Sequence, residues 1–99
     1  MDVCEEGIAI AALLEEHLLK QVPIPFEGVR MMREAQHDLA SRSLGAIDNA
    51  VMHIESQAHT MRTRMRLQGG PGYDEALGLL ERVQAWERRV TEATELNGV

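Results

Sequence analysis

The chain has 99 residues, 44 % of them apolar, only three aromatic side chains (Phe26, Tyr73 and Trp86) and a net charge of −6. That length makes one domain, and the acidic balance opposes the basic footprint that nucleic-acid binding requires. No apolar run is long enough to span a membrane, and a 26 % charged fraction with periodic apolar residues excludes a disordered chain.

Eleven Leu, eleven Ala and six Met against three aromatics form a helix composition, because strands favour aromatic and β-branched residues. The charge is uneven. Residues 1–28 carry −5, residues 29–68 carry +2 and residues 69–99 carry −3. A positive middle between acidic flanks predicts helices that pair with one another. The single cysteine, Cys4, rules out an intrachain disulfide. Asp2, Glu5 and Glu6 stand where a signal peptide would carry positive charge, so the expected location is cytoplasmic.

The first predicted helix covers about 2–22. Asp2-Val3-Cys4-Glu5 has capping-box spacing, and Glu5 and Glu6 suit the positive end of the helix dipole. Its apolar stripe runs through Ile8, Ala11, Leu14, Leu18 and Val22, widened by Ile10, Leu13 and Leu19. Pro23 disfavours helical angles at Val22 and ends the helix.

A second helix is predicted over about 26–68. From Ala40 the apolar residues Leu44, Ile47, Val51, Ile54, Ala58, Met61 and Met65 follow in alternating steps of four and three, a heptad seam of roughly 39 Å. Upstream the stripe is Val29, Met32, Ala35 and Leu39, so the phase changes near Ser41-Arg42-Ser43-Leu44-Gly45. No capping box follows that stretch, which favours one long, bent helix. Gln68-Gly69-Gly70-Pro71-Gly72 reads as a turn. A third helix is predicted over about 73–96 on Ala76, Leu79, Val83, Trp86, Val90 and Ala93, with Asn97-Gly98 as its stop.

Two seams joined by a short turn pair antiparallel, and the numbers of facing residues then keep a constant total. Met65 with Ala76, Met61 with Leu79, Ala58 with Val83, Ile54 with Trp86, Val51 with Val90 and Ile47 with Ala93 all total 140 or 141. In this register Trp86 lies near the small residues Ala50 and Ala58. By the same reasoning the first helix pairs Leu18 with Val29, Leu14 with Met32 and Ala11 with Ala35 or Gln36. The expected fold is all-α, a helical hairpin or bundle whose long central helix (about 26–68) is flanked by the other two. Such a layer leaves Ile10, Leu13, Leu19, Met52, Leu77 and Leu80 partly exposed, and a twofold homodimer covers them. A break at 41–45 would instead let four helices close into a monomeric bundle.

Few constellations carry chemistry. Glu34-Ala35-Gln36-His37 has the ExxH spacing of carboxylate metal sites, which a symmetric dimer would have to complete with Glu15 or Glu16. A solvated helix face is the simpler reading. Glu55 and His59, with His53 nearby, are too few ligands for a closed site. His17 reads as a rim residue beside the first stripe. Arg62, Arg64 and Arg66 stand where cations favour a helix C-terminus, and only Arg62 and Arg66 share a face. No nucleophile motif or phosphate loop is present, and Cys4 has no placed histidine.

The functional expectation is a small, non-enzymatic regulatory or adaptor protein without cofactor, metal or small-molecule substrate. It would bind a protein partner through apolar helix surface, as an inhibitor in one version of this reading. Ile10, Leu13, Leu14, Leu18, Met31 and Met52 are the expected partner or dimer interface. Two alternatives are a ferritin-like site built on Glu34 and His37 across a dimer, and a structural or secretion-associated helical subunit.

Overall fold

The computed structural model describes residues 2–68 and 73–97, except the side chains of residues 68, 73 and 94–97. The predicted turn at 69–72 and the Gly98 half of the predicted stop lie outside the described residues. Four helices account for nearly all of the rest: α1 (Val3–Leu19), α2 (Phe26–Ser41), α3 (Leu44–Gln68) and α4 (Tyr73–Asn97). No strand occurs among the described residues.

α1 begins as its sequence dictates. Asp2 is its N-cap, and the Glu5 amide donates to Asp2 Oδ1 at 2.9 Å. The helix ends at Leu19, before the expected Val22. The Lys20 and Gln21 amides bond to the His17 and Leu18 carbonyls in a tightened last turn. α2 starts directly after Pro25, whose carbonyl accepts from the Val29 amide. A proline there gives up no helical hydrogen bond.

The long central helix expected over 26–68 is two helices. Arg42 takes left-handed angles (φ 59°) and closes α2, its amide bonding back to the Leu39 carbonyl. The Ser41 hydroxyl donates to the Asp38 carbonyl at 2.6 Å. Ser43 then starts α3: its Oγ accepts from the Ala46 amide at 3.4 Å and its carbonyl accepts from the Ile47 amide at 2.9 Å. A lone serine cap without a Glu at the third helical position suffices to restart a helix. The absence of a full capping box is therefore a poor argument for continuity.

The break folds the chain into an up-down-up-down bundle of 44 × 22 × 20 Å. α1 and α2 run antiparallel, with Glu15 beside Arg33 and Asp2 beside Arg42. α2 and α3 do likewise, with Gln57 against Met31 and Gly28. α3 and α4 follow the expected register, Met65 and Arg62 lining one groove with Leu77 and Leu80. α1 also packs against α4, which the two-helix-thick arrangement did not include.

This fourth side of the bundle closes the core. Ile10, Ala11, Leu14, Leu18, Val29, Met32, Ala35 and Leu39 are buried from the first hairpin, and Ala50, Ile54, Ala58, Met61, Ala76, Leu80, Val83, Trp86 and Val90 from the second. Two residues expected to stay exposed, Ile10 and Leu80, are 0 % and 3 % exposed. Leu80 is buried more fully than its seam neighbour Leu79, and Ala50 more fully than Val51, because each helix faces two neighbours instead of one.

Trp86 is the largest fully buried side chain. Part of its room comes from α1. A Cβ on Gly7 would stand 2.5 Å from Trp86 Cζ2 and 2.7 Å from Leu39 Cδ1. Only glycine lets the indole lie against the α1 backbone. The indole N–H donates to the Val3 carbonyl at 2.7 Å, so the tryptophan is buried without an unsatisfied donor.

Candidate functional site

The bundle's antiparallel order collects unlike elements at each end. One end gathers the start of α1, the end of α2, the start of α3 and the end of α4. The other gathers the end of α1, the start of α2, the end of α3 and the start of α4.

The first end is closed by polar contacts. Arg42 donates to Asp2 at 2.9 Å and stands 3.8 Å from Glu5. Arg89 of α4 pairs with Glu6 of α1. The Glu5 amide, followed by Arg42, holds the Asp2 carboxyl below its usual value.

The second end is apolar. Val22 is 97 % exposed, Leu67 82 %, Phe26 73 %, Leu19 41 % and Leu77 40 %. Among the described residues, five of the eight large exposed apolar side chains therefore fall at or next to this end. Val22, Pro23 and Pro25 lie in the short link between α1 and α2, and Phe26 is the first residue of α2. Several exposed apolar side chains at one end of a bundle make that end the candidate interaction surface, whereas single exposed apolar residues are ordinary.

The expected interface residues separate into two groups. Ile10, Leu14 and Leu18 are 0 %, 0 % and 4 % exposed and are core of the single chain, unreachable from outside the closed bundle. The break at 42–43 is the physical reason, since it brings α3 and α4 back over the stripe. Met31 is half-buried, and its sulfur accepts from Gln57 Nε2 at 3.3 Å. Leu13 and Met52 remain exposed. Leu13 lies in a groove of about 400 Å³ between α1 and α4, with Glu16, His17, Lys20, Glu75, Leu79 and Arg82. Met52 stands on the outer face of α3.

The carboxylates near the ExxH pair are engaged elsewhere. Glu34 pairs with Arg30, which also pairs with Glu27. Arg30 in turn holds the Glu27 carboxyl below its ordinary value. Glu15 accepts from Gln36 at 2.8 Å and from Arg33 at 3.1 Å, and His37 is exposed. Among the described residues no group of three or more His, Cys, Asp or Glu side chains is placed to hold a metal ion.

Arg62 and Arg66 line one groove with Glu81, while Arg64 lies in another with His59 and Thr63, as their spacing requires. Glu87 of α4, half-buried, has its carboxyl pushed up by burial and then by the like charge of Glu55, with Arg62 opposing. Cys4 is buried. Among the described residues no helix is long and apolar enough to cross a membrane.

The apolar end was legible only in part. Leu19 and Leu77 were expected to be exposed, but Val22 was counted as stripe and Phe26 and Leu67 were passed over. The signal was present in Val22-Pro23 and Pro25-Phe26, because residues flanking prolines in a tight link have little helix surface to pack on. Compared with models of protein families, with curated proteins and with solved structures, the chain matches none.

Proposed function

We propose that the chain is a small, non-enzymatic helical adaptor that binds a protein partner through the apolar end of its bundle. The observation that carries this reading is that Leu19, Val22, Phe26, Leu67 and Leu77 all stand exposed toward one end of the bundle. The geometry fits a partner that presents an apolar helix face or shallow pocket, with Phe26 as the anchor, since a buried aromatic carries the largest share of a small interface. Binding is stoichiometric, and the partner's own use of the covered surface is blocked while the adaptor is in place. The charged side chains around the patch (Lys20, Glu27, Arg66 and Glu75) form its polar rim.

The reading is tested by placing a photo-crosslinking residue at position 26, or at Thr91 on the far half of α4, in the native host. The expected result is one discrete adduct from position 26 and none from position 91. Phe26→Asp, which leaves the helical circular dichroism unchanged, should abolish co-purification of that same partner. Equal labelling from both positions, or undiminished capture by Phe26→Asp, would falsify the assignment.

A further inference from the structure

We propose that the Arg42-Ser43 connection is an exchange hinge. Two copies of this chain would trade hairpins, α2 and α3 joining into one continuous helix of each copy. The partner is a second copy of this chain, and the inference is independent of the apolar end.

Three observations point to it. The first is the cost and looseness of the connection. Arg42 holds left-handed angles without being glycine, a conformation unfavourable for residues with a Cβ. Every residue from Ala40 to Gly45 is exposed, so no buried side chain anchors the hinge. Short connections under strain are where chains exchange elements.

The second is phase. Leu39 and Ala50 are the core residues nearest the hinge on either side, and they are separated by 11 positions, about three full turns. On an uninterrupted helix, Val29, Met32, Ala35, Leu39, Ala50, Ile54, Ala58 and Met61 would fall on one stripe about 140° wide. A closed monomer has no need of that coincidence, because its two helices are separate bodies. A twofold exchanged dimer does need it. Its two long helices run antiparallel past a perpendicular axis at the hinge, and both four-helix lobes must then lie on the same side of each helix.

The third is the surface at the hinge itself. Leu44 is 65 % exposed in the closed bundle and Ala40 is also exposed. Both are seam residues of the unbroken heptad run 40–65; on a continuous helix Ala40 lies at the edge of the stripe and Leu44 about 40° beyond it. In the exchanged dimer they sit beside the twofold axis, where the two copies meet. All core contacts are kept, α1 and α2 of one copy closing on α3 and α4 of the other. The hinge gains helical hydrogen bonds and loses its left-handed residue. The Asp2–Arg42 pair is what the closed form holds in its favour.

The test compares two hinge variants by light scattering over a concentration series. Arg42→Ala with Ser43→Ala removes the cap and favours a continuous helix. Arg42→Gly relieves the left-handed strain and disfavours continuity. Because each dimer contains two hinges, the dimer dissociation constant should be at least about a hundredfold lower for the alanine pair than for the glycine variant.

Exchange is distinguished from side-by-side association by mixing a Met31→Cys chain with a Gln57→Cys chain, both carrying Cys4→Ala, and refolding them together at high concentration. These side chains touch across α2 and α3, so an interchain disulfide between the two chain types forms only if the hairpins have exchanged. Equal dissociation constants for the two hinge variants would overturn the proposal. So would dimers of the cysteine chains without the 31–57 link. If the alanine pair fails to fold, the cysteine pair with the natural hinge decides: the link supports exchange and its absence refutes it.

Discussion

The two ends of this bundle are built from the same four helices and behave oppositely. At the end holding Asp2, Arg42 and Ser43, the described contacts are polar: Asp2 and Ser43 satisfy helix amides, and Arg42 and Arg89 answer the acids of α1. Just inside it, Trp86 seals the core against Gly7 and Leu39. At the other end Val22, Phe26 and Leu67 face solvent. The comparison shows one core buried along the whole bundle, closed at one end by caps and ion pairs and flanked at the other by exposed apolar side chains.

Four measurements would break or sharpen that contrast. Trp86→Ala should remove about 3–5 kcal/mol of unfolding free energy in a denaturant titration; a loss under 1 kcal/mol would mean that the tryptophan does not anchor the core. Gly7→Ala should cost about 1–3 kcal/mol, because the added methyl meets Trp86 and Leu39 inside a packed core. A neutral result would show that α1 and α4 are not in close contact.

Glu87→Gln should raise the melting temperature at pH 7. Burial and Glu55 lift the folded-state value of Glu87 above its ordinary 4.5, so the folded chain binds the proton more tightly than the unfolded chain does. The resulting destabilisation is complete above the raised value and disappears as pH falls below 4.5. The gain from glutamine should therefore shrink to nothing by pH 4, and a gain that persists there would contradict the assigned cause. The smallest effect is expected at the open end. Phe26→Asp and Leu67→Asp should each shift stability by no more than about 0.5 kcal/mol, as for ordinary surface positions. A larger loss would place these side chains in the core.

Local sequence carried much of the fold. The Asp2 cap, the antiparallel pairing of α1 with α2 and the α3–α4 register were readable, because each rests on residues close in the chain or on a repeated spacing, whereas α1 ends at Leu19, short of the end expected at Pro23. The site was less readable. Leu13, Leu19, Met52 and Leu77 were correctly expected at the surface, but Ile10, Leu14 and Leu18 were assigned to an interface that the chain itself fills. That assignment depended on continuity at 41–45. Continuous and broken helices there differ by the angles of two residues and one serine cap, a free-energy difference too small for composition to reveal.

By itself, then, the sequence determined that the chain is helical, where its apolar stripes lie, and the antiparallel pairing of α1 with α2 and of α3 with α4. Periodicity along a chain reports which face of a helix is apolar, and that information is one-dimensional. Only the tertiary structure decided that α4 returns to α1, that a glycine near one end of the chain makes room for a tryptophan near the other, and which apolar side chains are left uncovered. Those outcomes depend on close packing between residues with no relation in sequence, where a single methyl group decides whether two helices can touch.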